Sequence, residues 1–485
     1  MMQDPVLIVG GGGAGLCAAL EVRKSGLPCL VLEADDRLGG ATNYSSGAYC
    51  AAGSAIQRRK GVEDTPDHLF DYIMTLNQWD MRADIVRTMS DLSVDGLNFL
   101  TDCGVVFEDE GLCGGGRHRV ARSHLANGHG RAIIVALEQR AIEAGVEFRT
   151  GIRVRDLLVE AGRVTGVLSE EGELLRGSAV ILTTGGFGND KALLARLYPS
   201  VAQHGDRTWC LHEPAPFILG DGIVMAERIG ARVTGEDTGL PLPSCGFKHN
   251  IEGTLPPWIM LVNADGRRFM AETSAYSIAG YLLNQQKGGR AFAIFDEWTL
   301  TNVSTDVSYI EDDPEQPQST PSWHRDAVLQ QVEAGMVVQA STIPELADKI
   351  GVDGTTLQQS IDRYSRDAQE GVDRAFFKRT GLFPIKEAPF YAVEVRASIV
   401  GLTAAGLNID TSGRVLDQAD RVIPGLYAAG EVLGCVIGSR YAVGGLSLLN
   451  VVVFGRLAGQ AAAAFSQSEM SINSMSPPTV SKDLR

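Results

Sequence analysis

The sequence predicts an α/β fold in which a Rossmann-like domain is split along the chain around an inserted α+β cap. Three observations predict it. A strand, a glycine-rich loop, a helix and a second strand follow one another between Pro5 and Leu32. Short strands, polar loops and late helices mix from about residue 236 to 385. After about 390 a β-rich style with paired glycines returns. The bounds that follow are 1–235 and 386–485 for the two parts of the α/β domain and 236–385 for the cap.

Each element is read from its periodicity. Pro5 to Val9 is an apolar, β-rich run, Leu16 to Lys24 has helical spacing, and Pro28 to Leu32 is a second apolar strand, together a βαβ unit. A helical region is expected from about Pro66 to Leu100, then a glycine-rich stretch at Gly111 to Arg117. His129 to Ala144 reads as a helix, Val146 to Val154 as a strand, and Ser178 to Thr184 as a buried strand ending on Gly185-Gly186. Asp312 to Pro321 is a polar, proline-containing loop, followed by amphipathic helices over 343–350 and 354–370. Leu426 to Ala429 is an apolar strand, and a last helix spans roughly Ser447 to Ser466.

Composition narrows the functions. The chain has 485 residues and a formal charge of −16 with no long basic run, which argues against nucleic-acid binding. Its 56 glycines cluster in doublets, as tight turns and close backbone approaches to a large ligand require. No stretch reads as a bilayer span, and no basic leader precedes the first strand, so a cytoplasmic enzyme is the expectation. The eight cysteines carry no C-x-x-C or zinc spacing and read as buried free thiols. The eight histidines form no H-E-x-x-H set, so no metal site is expected.

The glycine loop carries the first chemistry. Gly10, Gly12 and Gly15 form G-x-G-x-x-G between strand and helix: one glycine for the turn, one for a close pyrophosphate, one for helix–strand packing. The phosphates then meet free N–H groups at the helix N-terminus. Glu33 ends the second strand, where a carboxylate accepts ribose hydroxyls. NAD satisfies this much as well as FAD. Further blocks lengthen the site: Arg37-Leu38-Gly39-Gly40-Ala41-Thr42, then Gly425-Leu426-Tyr427-Ala428-Ala429-Gly430-Glu431, then Gly444-Gly445 before the last helix, whose N-terminus suits an electron-rich ring edge.

These blocks resemble the fumarate reductase/succinate dehydrogenase flavoprotein superfamily. So do Thr183-Thr184-Gly185-Gly186-Phe187, Gly220-Asp221-Gly222-Ile223, Asp265-Gly266-Arg267-Arg268-Phe269 and Phe454-Gly455-Arg456-Leu457-Ala458-Gly459. The resemblance covers nearly the whole chain. It implies FAD bound across both parts of the split domain, with Glu431 on the ribityl chain and the Ser447–Leu448 backbone near the isoalloxazine. It also assigns cofactor contact to Gly13, Ala14, Ala34, Ser46, Gly47, Val154, Thr184, Gly185 and Asp221. Covalent members attach FAD through a histidine shortly after the second glycine turn. No histidine lies between Met1 and Gln57, so noncovalent FAD is expected.

The superfamily interconverts CH–CH and CH=CH bonds beside an electron-withdrawing group. Dicarboxylate reductases place an arginine four residues after the glutamate of R-F-x-x-E, a histidine in H-T-x-G-G-L and an arginine before the double glycine. Here those places hold Tyr276, Leu402 and Ala442. The loss of all three charges argues against fumarate-like substrates. Tyr276 instead resembles the proton-abstracting tyrosine of 3-ketosteroid Δ1-dehydrogenases. Tyr441 and Gly445 resemble that family's Y-x-x-x-G element, whose hydroxyl and N–H bind the ketone oxygen. Two donors on a carbonyl stabilise the enolate that forms as the α proton leaves.

The expected activity is therefore FAD-dependent α,β-dehydrogenation of a small apolar ketone, with an external electron acceptor. The reverse reaction, enone or enoate reduction, uses the same residues. The chain departs from the steroid enzymes in one respect: no tyrosine lies between Tyr72 and Tyr198, where they carry another. Residues from Cys113 to His129, including Arg117, His118 and His124, are expected to line the same side. A cyclohexanone or 4-oxocyclohexanecarboxylate fits as well as a steroid, with Arg117 or Arg440 as candidate carboxylate partners.

Overall fold

The computed structural model describes residues 4–114, 120–212, 215–247, 255–303 and 323–475. Arg117, His118 and the loop Asp312 to Pro321 lie outside them. The central six-stranded sheet runs in the order Arg414–Leu416, Val422–Ala428, Ala179–Leu182, Val6–Val9, Cys29–Leu32, Glu147–Arg149. All neighbours are parallel except the first pair. Ile8 stands opposite both Val31 and Ile181, and Ile181 opposite Tyr427, so strands from both ends of the chain meet in one sheet. Val6–Val9, Cys29–Leu32 and Ala179–Leu182 are apolar throughout and buried along their length, as the inner strands of a parallel sheet require.

The helix after the first strand spans Gly13–Lys24, beginning three residues before the apolar spacing does. It packs against the last helix, Leu446–Met475, at a distance only small residues allow: a Cβ on Gly459 would lie 2.5 Å from the Ala18 carbonyl oxygen. That last helix corrects the expectation that no stretch is apolar and long enough to span a bilayer. Leu446–Ser471 meets both criteria, but most of it is buried within this fold, where core helices need the same apolar surface.

One further expectation is resolved in more detail and one is corrected. The region from Pro66 to Leu100 is three helices, Pro66–Leu76, Ala83–Asp91 and Ser93–Asp102. The first ends because Gln78 and Trp79 take left-handed φ values of 55° and 62°. Val146 to Val154 is two strands, Glu147–Arg149 and the start of Val154–Glu160. Between them Gly151, with φ of 69°, turns the chain so that Gly151 N–H donates to Asp35 and Ile152 N–H to Glu33. That turn carries Ile152 to Val154 over the edge of the first βαβ unit.

A second sheet is built on the fourteen-residue strand Phe390–Thr403. It pairs with Trp209–Cys210, Gly239–Ser244, Arg290–Asp296 and Val337–Ala340. This sheet thus draws in segments on both sides of 236–385. The helices Ile343–Ile350 and Gly354–Gln369 pack beside it, capped by Thr342 and Asp353. None of the eight cysteines is in a disulfide; six are buried, and Cys103 and Cys113 are partly exposed. No metal-holding group occurs among the described residues.

Candidate active site

An inner slot and an outer cavity meet where the two sheets approach each other. Ala41, Thr42, Glu431 and Val451 line both. The slot is walled by Gly10, Gly12, Gly13 and Ala14 from the first loop, Glu33 and Ala34 from the second strand, and Gly40 from the second glycine turn. Val154, Thr184, Gly185, Asp221 and Gly430 complete it. The outer cavity, about 340 Å³, takes in Ser46, Tyr276, Tyr441, Gly445, Ser447 and Leu448. Gly15, Gly39 and Gly47 are not on either wall. Gly15 serves packing, since a Cβ there would lie 2.0 Å from the Gly10 carbonyl oxygen.

The residues of the slot fit FAD. No side chain caps the Gly13–Lys24 helix, so its first N–H groups face the slot as an anion site. Gly10 has φ of 107°, and a Cβ would sit 2.3 Å from the Thr183 carbonyl oxygen, so only glycine makes this turn. Glu33 is buried; its Oε2 accepts from Gly11 N–H at 2.6 Å and its Oε1 from Asp35 N–H at 2.9 Å. Burial pushes its carboxyl pKa up, and those backbone donors oppose the rise. Asp221 is committed to Arg153 at 2.9 Å. Two buried polar atoms on the walls, Thr184 Oγ1 and Asn450 Oδ1, have no hydrogen-bond partner. Thr184 lies on the slot and Asn450 on the outer cavity, and since buried atoms left so are costly, a polar ligand that runs from one into the other fits both.

Glu431 stands at the junction, accepting from Thr403 N–H at 2.9 Å and Thr403 Oγ1 at 3.0 Å. Burial pushes its pKa up. Beyond it the outer cavity is mostly apolar, with Leu240, Leu242, Ile399, Leu402 and Ile437 on its walls. Among its described lining residues, only Glu431 carries a carboxyl and only His212 an imidazole.

The two tyrosines come from different segments of the cavity wall. Tyr276 opens the helix Tyr276–Asn284 and is 37% exposed. The segment before it is fixed by a buried ionic cluster: Arg268 bridges Glu272 and Asp373 at 2.8 Å each, and Lys378 reaches Glu272 at 3.2 Å. Tyr441 is buried, and its phenol oxygen accepts from Ser447 N–H at 3.2 Å. Burial pushes its pKa up, and the hydrogen bonds from Ser447 oppose that rise. Gly445, with φ of 88°, lies so close to the strand Ala48–Cys50 that a Cβ would meet it at 2.7 Å. The carrier segment is pinned by Tyr72 on the Ala442 carbonyl, Ser123 on that of Gly444 and Cys50 N–H on that of Gly445.

His124 is not on the cavity wall. Its ring is buried, Nε2 lying 2.8 Å from Ser54 Oγ and Nδ1 2.9 Å from the Arg122 carbonyl, because its strand points that face into the core. The wall also holds aromatic and polar side chains that sequence patterns do not mark, among them Tyr44, Trp209 and His212. Tyr44 supplies a third tyrosine from a different segment than in the steroid enzymes, and its hydroxyl accepts from Arg37 at 2.8 Å. His212 opens onto the cavity with protein on its other sides, and that burial pushes its pKa down to about 4. Its one sequence signal was its place shortly before the Gly220-Asp221-Gly222 block.

A split parallel sheet, a glycine turn at a helix N-terminus and a long two-part cavity define a dinucleotide-binding flavoprotein. Residues 5–448 match the FAD binding domain family, and the chain belongs to it, within the fumarate reductase/succinate dehydrogenase flavoprotein superfamily. It is an FAD-dependent oxidoreductase. It is 29% identical to a fumarate reductase (cytochrome) of Shewanella frigidimarina, over 95% of this chain and 77% of that one. A 3-oxosteroid 1-dehydrogenase of Mycolicibacterium smegmatis is 27% identical over 95% of this chain and 97% of its own. The crystal structure of a 3-ketosteroid-Δ4-(5α)-dehydrogenase from Rhodococcus jostii aligns with a TM-score of 0.77 at 25% identity, covering 95% of this chain and 97% of that one.

Proposed function

We propose that this enzyme desaturates a cyclic ketone next to its carbonyl. One observation carries the reading: Tyr276, Tyr441 and Gly445 line a single cavity whose other walls are mostly apolar. Leu402 stands in that wall where dicarboxylate enzymes resemble one another in a histidine, and apolar Ala442 is buried beside Tyr441. A dianionic substrate would have to shed its water against these surfaces with no Lys or Arg among the described lining residues to meet it.

In this reading the ketone oxygen accepts hydrogen bonds from the Tyr441 hydroxyl and the Gly445 N–H. Those donors favour the charge that gathers on the oxygen as the α carbon loses its proton. Tyr276 Oη takes that proton. A tyrosine has a reference pKa near 10, so the transfer runs together with departure of hydride from the neighbouring carbon. Partial exposure of Tyr276 lets the proton pass on to water. Bound FAD, held noncovalently in the slot, supplies the hydride-accepting chemistry, and turnover needs an external electron acceptor. The apolar walls orient the ring and exclude water. The reverse reading, reduction of an enone, draws support from the similarity to a fumarate reductase, since the same residues deliver a proton as readily as they remove one.

The test is anaerobic mixing of the yellow protein with androst-4-ene-3,17-dione, cyclohexanone, 4-oxocyclohexanecarboxylate or succinate. Bleaching of the flavin by a ketone and not by succinate supports desaturation. Bleaching by none, with fast reoxidation of reduced enzyme by an enone, supports the reverse reading. Bleaching by succinate alone overturns both.

A further inference from the structure

Arg440 joins the two segments that carry the tyrosines. Its backbone is clamped by Asn77, whose Oδ1 accepts from Arg440 N–H at 2.8 Å and whose Nδ2 donates to the Arg440 carbonyl at 3.1 Å. Its guanidinium reaches the helix Tyr276–Asn284: Nη2 donates to Tyr281 Oη at 2.8 Å, and the guanidinium carbon lies 4.4 Å from the Tyr281 ring centroid. Tyr441 is the next residue after Arg440, and Tyr281 lies on the helix that Tyr276 begins. The same helix is held at its far end by Asn284 on His204 at 3.2 Å.

Two features mark this bridge as more than a surface contact. Arg440 has no ion pair among the described residues; its guanidinium is met by neutral oxygens of Tyr281, Ser439 and Gln78 and by an aromatic face. The turn that presents Asn77 and Gln78 is strained as well. Gln78 and Trp79 hold left-handed φ, a conformation that costs non-glycine residues energy and persists only where surroundings enforce it. Here the enforcement is visible: buried Asn77 bonds both backbone polar groups of Arg440 and packs so near Gly438 that a Cβ there would lie 2.7 Å from its Oδ1.

We infer that Arg440 is a positioning residue: through Tyr281 it sets the helix bearing Tyr276 against the segment bearing Tyr441, and so fixes the gap across which the substrate is held. The inference rests on the reading of those two tyrosines as the proton-transfer pair. It also assigns the Arg440 cation to Tyr281 and not to a substrate carboxylate.

The test compares full-length, FAD-loaded Arg440→Met, Tyr281→Phe and the double variant. Each single change should slow flavin bleaching at saturating ketone by about tenfold or more, the scale of one charge-assisted hydrogen bond, with KM little altered. The double variant should be no slower than Arg440→Met, because both act through one contact. Arg440→Lys should not rescue, since an ammonium lacks the planar fork and stack. Amide exchange in Tyr276–Asn284 should quicken in both single variants, while that of the final helix stays unchanged. Additive losses, unchanged exchange, or a KM rise confined to 4-oxocyclohexanecarboxylate would overturn the inference. Should no ketone bleach the wild type, the proposed reaction fails, and the exchange measurement alone decides the bridge.

Discussion

The backbone N–H of Ser447 donates to the phenol oxygen of Tyr441 at 3.2 Å, in the first turn of the final helix. The phenol therefore sits at a helix N-terminus with its oxygen already supplied with a donor, which leaves its own proton for the cavity or for Ser447 Oγ at 3.3 Å. Burial keeps that proton in place, because the Tyr441 pKa is pushed above its ordinary value. Tyr441→Phe should retain FAD and lose about a hundredfold in bleaching rate, the scale for one oxyanion donor. An unchanged rate by stopped flow would remove Tyr441 from the carbonyl clamp. The linkage has a definite sign. Since the folded pKa exceeds the unfolded value near 10, Tyr441 favours the fold below that pH and withdraws its contribution as pH climbs further.

Tyr276→Phe separates base from scaffold. The residue begins its helix and is more than a third exposed, so loss of the hydroxyl should shift stability by less than about 0.5 kcal/mol. FAD content should be unchanged, while bleaching falls by roughly 100-fold or more, as expected for a positioned base. A variant that bleaches at the wild-type rate would sink the assignment of Tyr276 as base.

Much of this arrangement is legible before any coordinates, and the limits are physical. The strand at Val6–Val9 and the glycines at 10, 12 and 15 announce themselves because local geometry demands them. The tyrosines emerge because their neighbours match a family pattern. Tyr44, Trp209 and His212 do not, since a cavity wall assembled from three distant segments leaves no periodic trace. His124 misled for the opposite reason. A histidine near a glycine-rich stretch looks available, but its strand register turns it toward Ser54 and the core. The break at Gln78 was equally hidden, because nothing in glutamine or tryptophan favours a left-handed turn; the cause is Asn77 reaching Arg440, 363 positions away.

Gly10→Ala tests the cofactor loop. The new methyl group would lie 2.3 Å from the Thr183 carbonyl oxygen in a backbone at φ of 107°, so either the loop or the central strand must shift. Destabilisation of about 2–4 kcal/mol and loss of bound flavin are expected. The ratio of absorbance at protein and flavin wavelengths reads the second, thermal melting the first. A fully yellow variant with wild-type Tm would show that the turn tolerates a side chain and that pyrophosphate is not held there.

Acid should loosen this fold through its buried histidines. Burial pushes the pKa values of His124, His204 and His212 down, the last to about 4. In an unfolded chain each titrates near 6.5. Between that pH and the folded values the unfolded chain binds more protons, so stability is complete above 6.5 and declines as pH falls toward 4. For His212 the full decline is at most about 3 kcal/mol, at 1.36 kcal/mol per pKa unit. Melting of the FAD-loaded protein from pH 7.5 to 4.5 should show Tm dropping below 6.5, and His212→Gln should flatten that drop. The same property has a kinetic consequence. His212 remains neutral from pH 5 to 8, so its ring offers the substrate a hydrogen bond and no charge. Bleaching by an uncharged ketone should therefore show no step near 6.5 that His212→Gln abolishes; such a step would mean that the ring titrates in the cavity as freely as in water.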